Sequence, residues 1–208
     1  MSRIQIHNFV KRMNVLVISG SIRENASTKR VAQHIVNQLS MLSHLQSELI
    51  DLTLYEYPIW KEVFHREINP PVECKFLHDK LEASDAMIFV TPEYNGSYSL
   101  ALKNMIDYYG LKVFERKVIG VSAVSTGSLG GIRSGLQLQQ LILAIYAVPV
   151  PQMLLIPQVQ NKFSEEGQLL DPSFSKNVDR FIADFIWYAD ALFEKRKAGQ
   201  LQPADKIS

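Results

Sequence analysis

A doubly wound α/β domain, with a five-stranded parallel sheet and helices on both faces, is the fold class that the sequence predicts. Short apolar runs alternate with segments of helical period along most of the chain, the order that strands and crossover helices take in a parallel sheet. The runs are continuous rather than alternating, which suits strands buried on both faces. The 208 residues are 47% hydrophobic and 21% charged, near globular averages, so wholesale disorder is excluded and one domain accounts for the length.

The first strand is the run Asn14 to Ser19 (NVLVIS). Val31, Ala32, Ile35, Val36, Leu39 and Leu42 then recur at helical spacing, with Gln33, Asn37 and Gln38 off that stripe. Glu48 to Leu52 reads as the second strand, Asp85 to Thr91 as the third, Lys117 to Ser125 as the fourth and Val150 to Pro157 as the fifth. Helices are expected near Val72 to Ala83, Ser99 to Tyr109 and Ile132 to Ala147. A closing helix carries the stripe Val178, Phe181, Ile182, Phe185, Ile186, Ala189 and Leu192, whose aromatics belong to a core rather than to a cofactor site. The domain is expected over residues 13–195, with an N-terminal extension at 1–12 and a polar tail at 196–208.

Charge and composition remove several function classes. Lys+Arg 22 against Asp+Glu 21 leaves a net charge of +1, which argues against a nucleic-acid binder and against an electron carrier that docks by strong charge. Ser134 to Asn161 carries no charge, yet glutamines and prolines interrupt it, and its unbroken apolar run, Leu141 to Val148, is too short to span a membrane. The N-terminus has no continuous apolar stretch of the kind a secretory signal needs. One cysteine, Cys74, cannot form an internal disulfide, and with these features a cytoplasmic location is expected.

In a doubly wound sheet, ligands sit outside the carboxyl ends of the strands where strand order reverses, so the loops after strands one, three and four are the candidate site. The first, Gly20 to Lys29, leads into a helix and offers free N–H groups, the hydroxyls of Ser21, Ser27 and Thr28, and Arg23. That set suits a phosphate at a helix start, although helix capping and a solvated arginine would explain it equally well. It is neither a dinucleotide G-x-G-x-x-G nor a P-loop. The second loop is Thr91-Pro92-Glu93-Tyr94-Asn95-Gly96-Ser97, and the third is Ser125-Thr126-Gly127-Ser128-Leu129-Gly130-Gly131, with Arg133 beyond. Together they could hold a flat ring with polar edges; singly, each reads as a turn or a connector.

The G-S-x-R-x-x-S start, the P-E-Y-N-G-S stretch followed by L-K-N-x-I-D-Y, and S-T-G-S-L-G-G together resemble the NADPH-dependent FMN reductase family, over about residues 13–190. This is the flavodoxin-like group that includes quinone, chromate and azo-dye reductases. The resemblance implies FMN, with its phosphate on Ser21, Arg23, Ser27 and Thr28. It implies a ring against Pro92, Glu93, Tyr94, Asn95 and Gly96, closed by Ser125, Thr126, Gly127 and Gly130. It also implies NADPH as hydride donor, a small-molecule electron acceptor, and a homodimer, or a homotetramer of paired dimers, built on the L-K-N-x-I-D helix. Where the family tends to have Pro-Gly after the N-G-S turn, this chain has Ser99-Leu100.

Hydride transfer between nicotinamide and flavin asks the protein for positioning, so no catalytic side chain and no metal are expected, and a ping-pong cycle follows. A flavodoxin-like electron carrier or a non-catalytic flavin sensor is the alternative. The segment Tyr55 to Pro71, with Tyr57, Trp60 and Phe64, reads either as part of an acceptor pocket or subunit contact, or as a covering loop. Cys74 and His78 stand at i, i+4 without a second ligand pair, and no G-x-S-x-G elbow of a serine hydrolase is present.

Overall fold

The computed structural model describes residues 12–55 and 59–198. Its elements are β1 (Met13–Ser19), α1 (Ser27–Ser40), β2 (Leu45–Asp51), α2 (Val72–Ala83), β3 (Ala86–Pro92), α3 (Leu100–Tyr109), β4 (Val118–Val124), α4 (Ile132–Ala144), β5 (Val148–Pro149), β6 (Leu154–Ile156) and α5 (Ser175–Lys197). The strands run β2-β1-β3-β4-β5, all parallel, and β6 also pairs with β4. The chain therefore moves outward from β1 to β2 and then returns past β1 to β3. Order reverses between β1 and β3, and Ser19 at the end of β1 is the register partner of Val90, two residues before the end of β3.

β1, β3 and β4 are buried along nearly their whole length because helices cover both sides of the sheet. One core layer joins alternate strand residues such as Val15, Val17 and Ile88 to Ile35 of α1 and to Phe181 and Phe185 of α5. The opposite layer joins Ile18, Phe89 and Ile119 to Leu77 of α2, Met105 of α3 and Leu138 of α4. Each such fully buried side chain contributes about 1.5–3 kcal/mol by leaving water.

Several boundaries differ from the sequence reading: β2 begins three residues earlier, at Leu45, α4 ends at Ala144 rather than Ala147, and the fifth strand and the last helix change most. The fifth strand position is held by two short pieces. β5 pairs Val148 and Pro149 with Val118 and Ile119, and β6 pairs Leu154–Ile156 with Ser122–Val124. Pro149 and Pro151 have no N–H to give a ladder, so the chain leaves the sheet between the two pieces. At the far end α5 continues to Lys197, and Arg196 donates to the Asp85 carbonyl beside the Asp85 carboxylate. The N-terminal extension, apart from Arg12, and the tail from residue 199 lie outside the described residues. Among the described residues, no helix is long and apolar enough to cross a membrane.

Candidate functional site

The first loop leaves β1 at Gly20, whose amide donates to the Val90 carbonyl at 2.8 Å, and turns through residues 21–26 into α1. Ser21 is buried; its Oγ accepts from the Arg23 amide at 3.3 Å and lies 2.8 Å from the Tyr94 hydroxyl. The Arg23 guanidinium sits 5.5 Å from the centroid of the Tyr94 ring, so this ring and hydroxyl are held against the first loop. α1 starts at Ser27 without a side-chain cap, because Ala26 occupies the capping position, and its first turn has no acidic residue. Thr28 is buried and accepts from Ser19 Oγ at 3.2 Å, which locks the helix start to the end of β1.

The second loop continues β3 from the buried Pro92. Tyr94 and Ser97 exchange both backbone hydrogen bonds, at 2.9 and 3.1 Å, across a two-residue turn at Asn95 (φ 51°) and Gly96 (φ 83°). A turn with positive φ at both central residues favours Asn-Gly, and the strict geometry of this pair explains why the motif contains it. The chain then enters α3 through Ser99. Its N–H donates to Thr91 Oγ1 at 3.3 Å, its Oγ accepts from the Leu102 amide at 3.2 Å, and its hydroxyl donates to the Gly20 carbonyl. A proline has neither the N–H nor the hydroxyl, so the Ser99-Leu100 departure substitutes polar ties for a rigid ring.

The third loop is pinned to the segment after β6. Ser125 N donates to Ile156 O at 3.0 Å, Val159 N to Ser125 O at 3.1 Å, and Gln158 N to Gly127 O at 3.1 Å. It ends at Gly130 and Gly131, both with positive φ, and Gly131 opens α4. A Cβ on Gly131 would stand 3.0 Å from the Ala123 Cβ, so close packing as well as φ requires glycine there.

These loops enclose a cleft of about 300 Å³. Ser21, Arg23, Ser27 and Thr28 line it from the first loop, Pro92, Glu93 and Tyr94 from the second, and Ser125 and Thr126 from the third. Of the other expected residues, Asn95 and Gly96 form the hairpin turn, while Gly127 and Gly130 shape the third loop behind the cleft wall. Glu24, Asn25 and Ala26 of the first loop, together with Val124 and Val159, also line the cleft and were missed. Val124 is the last residue of β4 and could have been found from strand position; Val159 comes from a short 3-10 turn with no sequence signal. His78 stacks on Phe64 with centroids 4.5 Å apart, which gives that histidine a packing role. Phe64 also packs against Tyr108 and Tyr109, so this part of the segment after β2 covers the domain's own edge; Tyr57 lies outside the described residues.

The two ends of the cleft differ electrostatically. The start of α1 presents amides that no side chain satisfies, while the start of α4 is filled by the Glu93 carboxylate, which accepts from the Arg133 and Ser134 amides at 3.2 and 3.4 Å. An anion is therefore favoured at the α1 end and has no free helix start at the other.

A parallel sheet in this strand order, with an anion-ready helix start and two polar loops at its switch point, is a flavodoxin-like fold. Its structural relatives agree. A flavoenzyme NAD(P)H:(acceptor) oxidoreductase of Paracoccus denitrificans superposes with a TM-score of 0.71 at 23% identity, covering 86% of this chain and 98% of that one. An archaeal flavodoxin superposes with a TM-score of 0.53 at 11% identity, over 86% of this chain and 99% of that one. Residues 13–161 match the model of the NADPH-dependent FMN reductase family, and the chain belongs to that family. Its relatives include a quinone reductase of Pseudomonas putida, 32% identical over 82% of this chain and 93% of that protein. An NADPH azoreductase of a Bacillus species is 29% identical over 77% of this chain and 85% of that protein. The protein is thus an oxidoreductase that uses FMN and NAD(P)H. The cleft suits this cofactor: its anion end has the uncapped α1 amides, three hydroxyls and Arg23, and its opposite end has backbone turns rather than free charge.

Proposed function

We propose that this protein catalyses two-electron transfer from NAD(P)H to a small organic acceptor, a quinone or an azo compound, by a ping-pong cycle in the cleft at the β1/β3 switch point. The observation that carries the proposal is the cleft's polarity, with one helix start open to an anion and the other already occupied by Glu93. FMN held here would supply the redox chemistry between NAD(P)H and the acceptor. The protein's residues hold and orient it.

In this assignment Arg23, the hydroxyls of Ser21, Ser27 and Thr28 and the α1 amides bind the phosphate. Tyr94 belongs to the phosphate side through its hydroxyl, and to the ring side through its backbone. Ser125 and Thr126 line one wall of the ring site, shaped from behind by Gly127 and Gly130, and Pro92 lines the other, shaped by the Asn95-Gly96 turn. Glu93 contributes main chain to that wall, its carboxylate being committed to α4. No side chain acts as a general base.

The active unit extends from residue 13 to the end of α5 at Lys197 and works as a homodimer. A groove of about 360 Å³ between the end of β2 and α3 supports this, since Ile22, Ile59 and Leu100 line it with 62%, 75% and 74% of their surface exposed. A cytoplasmic location accompanies the reading, supported by a single cysteine that cannot form an internal disulfide.

The test is the visible spectrum of the purified protein supplied with FMN, before and after anaerobic NADPH. A bound flavin spectrum that bleaches within seconds supports the reductase. Flavin that binds but stays oxidised overturns it in favour of a carrier or sensor.

A further inference from the structure

We infer that Glu93 is a positioning residue whose carboxylate clasps the second loop to α4 and so fixes the width of the ring end of the cleft. This rests on the flavin reading of the cleft. The carboxylate is only 9% exposed, so its charge must be compensated where it stands. Four donors do so, all from the first turn of α4. Oε1 accepts from Arg133 Nη2 at 2.7 Å and Nε at 2.9 Å, and Oε2 accepts from the Arg133 and Ser134 amides. The helix dipole adds to the same arrangement. One turn further along α4, Gln137 repeats the tie: its Nε2 donates to the Gly96 carbonyl at 2.9 Å, and its Oε1 accepts from Ser97 Oγ at 2.8 Å.

The consequence lies in connectivity. The third loop runs directly into α4 at Gly131, so the first turn of that helix is already fixed to one wall of the cleft. Glu93 and Gln137 fix the other wall to the same helix. Two loops from different strands thereby move as one body, and a planar ring between them meets a gap of set width. Glu93 acts through α4 and the hairpin, not on the reacting atoms.

The experiment measures two quantities on the full chain. One is backbone hydrogen exchange over residues 93–98 and 126–135 without flavin, and the other is FMN affinity by fluorescence quenching. Glu93→Ala should speed exchange in both stretches together and weaken FMN binding roughly tenfold or more, the scale for leaving buried donors unsatisfied. Glu93→Gln keeps an acceptor for the α4 amides and should fall between Ala and wild type. Gln137→Ala, which tests the clasp should Glu93→Ala not fold, should loosen residues 94–97 and weaken FMN a few-fold. Wild-type exchange in the Ala variants overturns the inference, as does faster exchange with unchanged FMN affinity or with no rescue by Gln. A wild-type protein that does not bind FMN would instead sink the flavin reading, and the exchange result would still judge the clasp.

Discussion

The Ser21–Tyr94 contact joins the first and second loops through a single pair of hydroxyls at 2.8 Å. Tyr94→Phe removes one partner and leaves the fold's packing intact. FMN affinity should fall by about fivefold, corresponding to about 1 kcal/mol for one neutral hydrogen bond, as measured by flavin fluorescence titration. Arg23→Met should cost more, about 1.5–3 kcal/mol for a charge-assisted bond, and should flatten the salt dependence of FMN binding. His34 has a different role at the same scale. It is buried on α1, its Nδ1 lies 3.0 Å from the Gly167 carbonyl and its ring meets Phe163 edge-on. Burial pulls its pKa below the ordinary 6.5, against the Gly167 contact and the nearby Asp179 that favour the charged ring. The unfolded chain therefore takes up a proton that the native state resists. Stability should rise with pH up to about 6.5 and then level off. His34→Gln should remove that rise; urea midpoints between pH 5 and 8 that coincide for both proteins would contradict it.

At the scale of elements, glycine at the head of α4 sets the third loop. Gly131→Ala forces a Cβ into positive φ at 78° and against Ala123, and should lower stability by about 1–3 kcal/mol in urea unfolding. FMN affinity should fall with it, since α4 anchors both ring-side loops. Much of this level was legible in the sequence. β1, β3 and β4 announced themselves because strands covered on both sides must be continuously apolar, and the P-E-Y-N-G and S-T-G-S-L-G-G stretches marked their ends. What was not legible depends on partners distant in the chain. That Glu93 bonds Arg133 and Ser134, and that Tyr94 reaches back to Ser21, are facts of loop juxtaposition which no local pattern encodes. The divided fifth strand was half legible, since the expected run Val150 to Pro157 contains the piece Leu154–Ile156, while the separate pairing of Val148 and Pro149 with β4 follows from register alone.

Across the whole molecule, the two faces of the sheet serve different ends. α1 and α5 close one core layer, with Trp187 as the large exposed apolar side chain on α5. The other face carries the groove beside α3, and its exposed apolar rim is the surface on which the proposed dimer depends. Leu100→Glu places a charge in that rim without disturbing a buried residue. Sedimentation equilibrium at micromolar protein should then show a monomer where the unaltered chain shows a dimer; an unchanged mass would place the contact elsewhere.

The division of the outermost strand position into β5 and β6 has a bearing on solubility. An open parallel sheet exposes a rim of amides and carbonyls on which a foreign strand can grow, the first step toward fibrils. Here that rim is interrupted by two prolines, and its longest regular piece, Leu154–Ile156, has three residues. At this edge a neighbouring molecule finds too short a template to extend the sheet, so the irregularity that shortens the fold's last strand guards that edge, though not the seven-residue β2 at the opposite one, against edge-to-edge pairing.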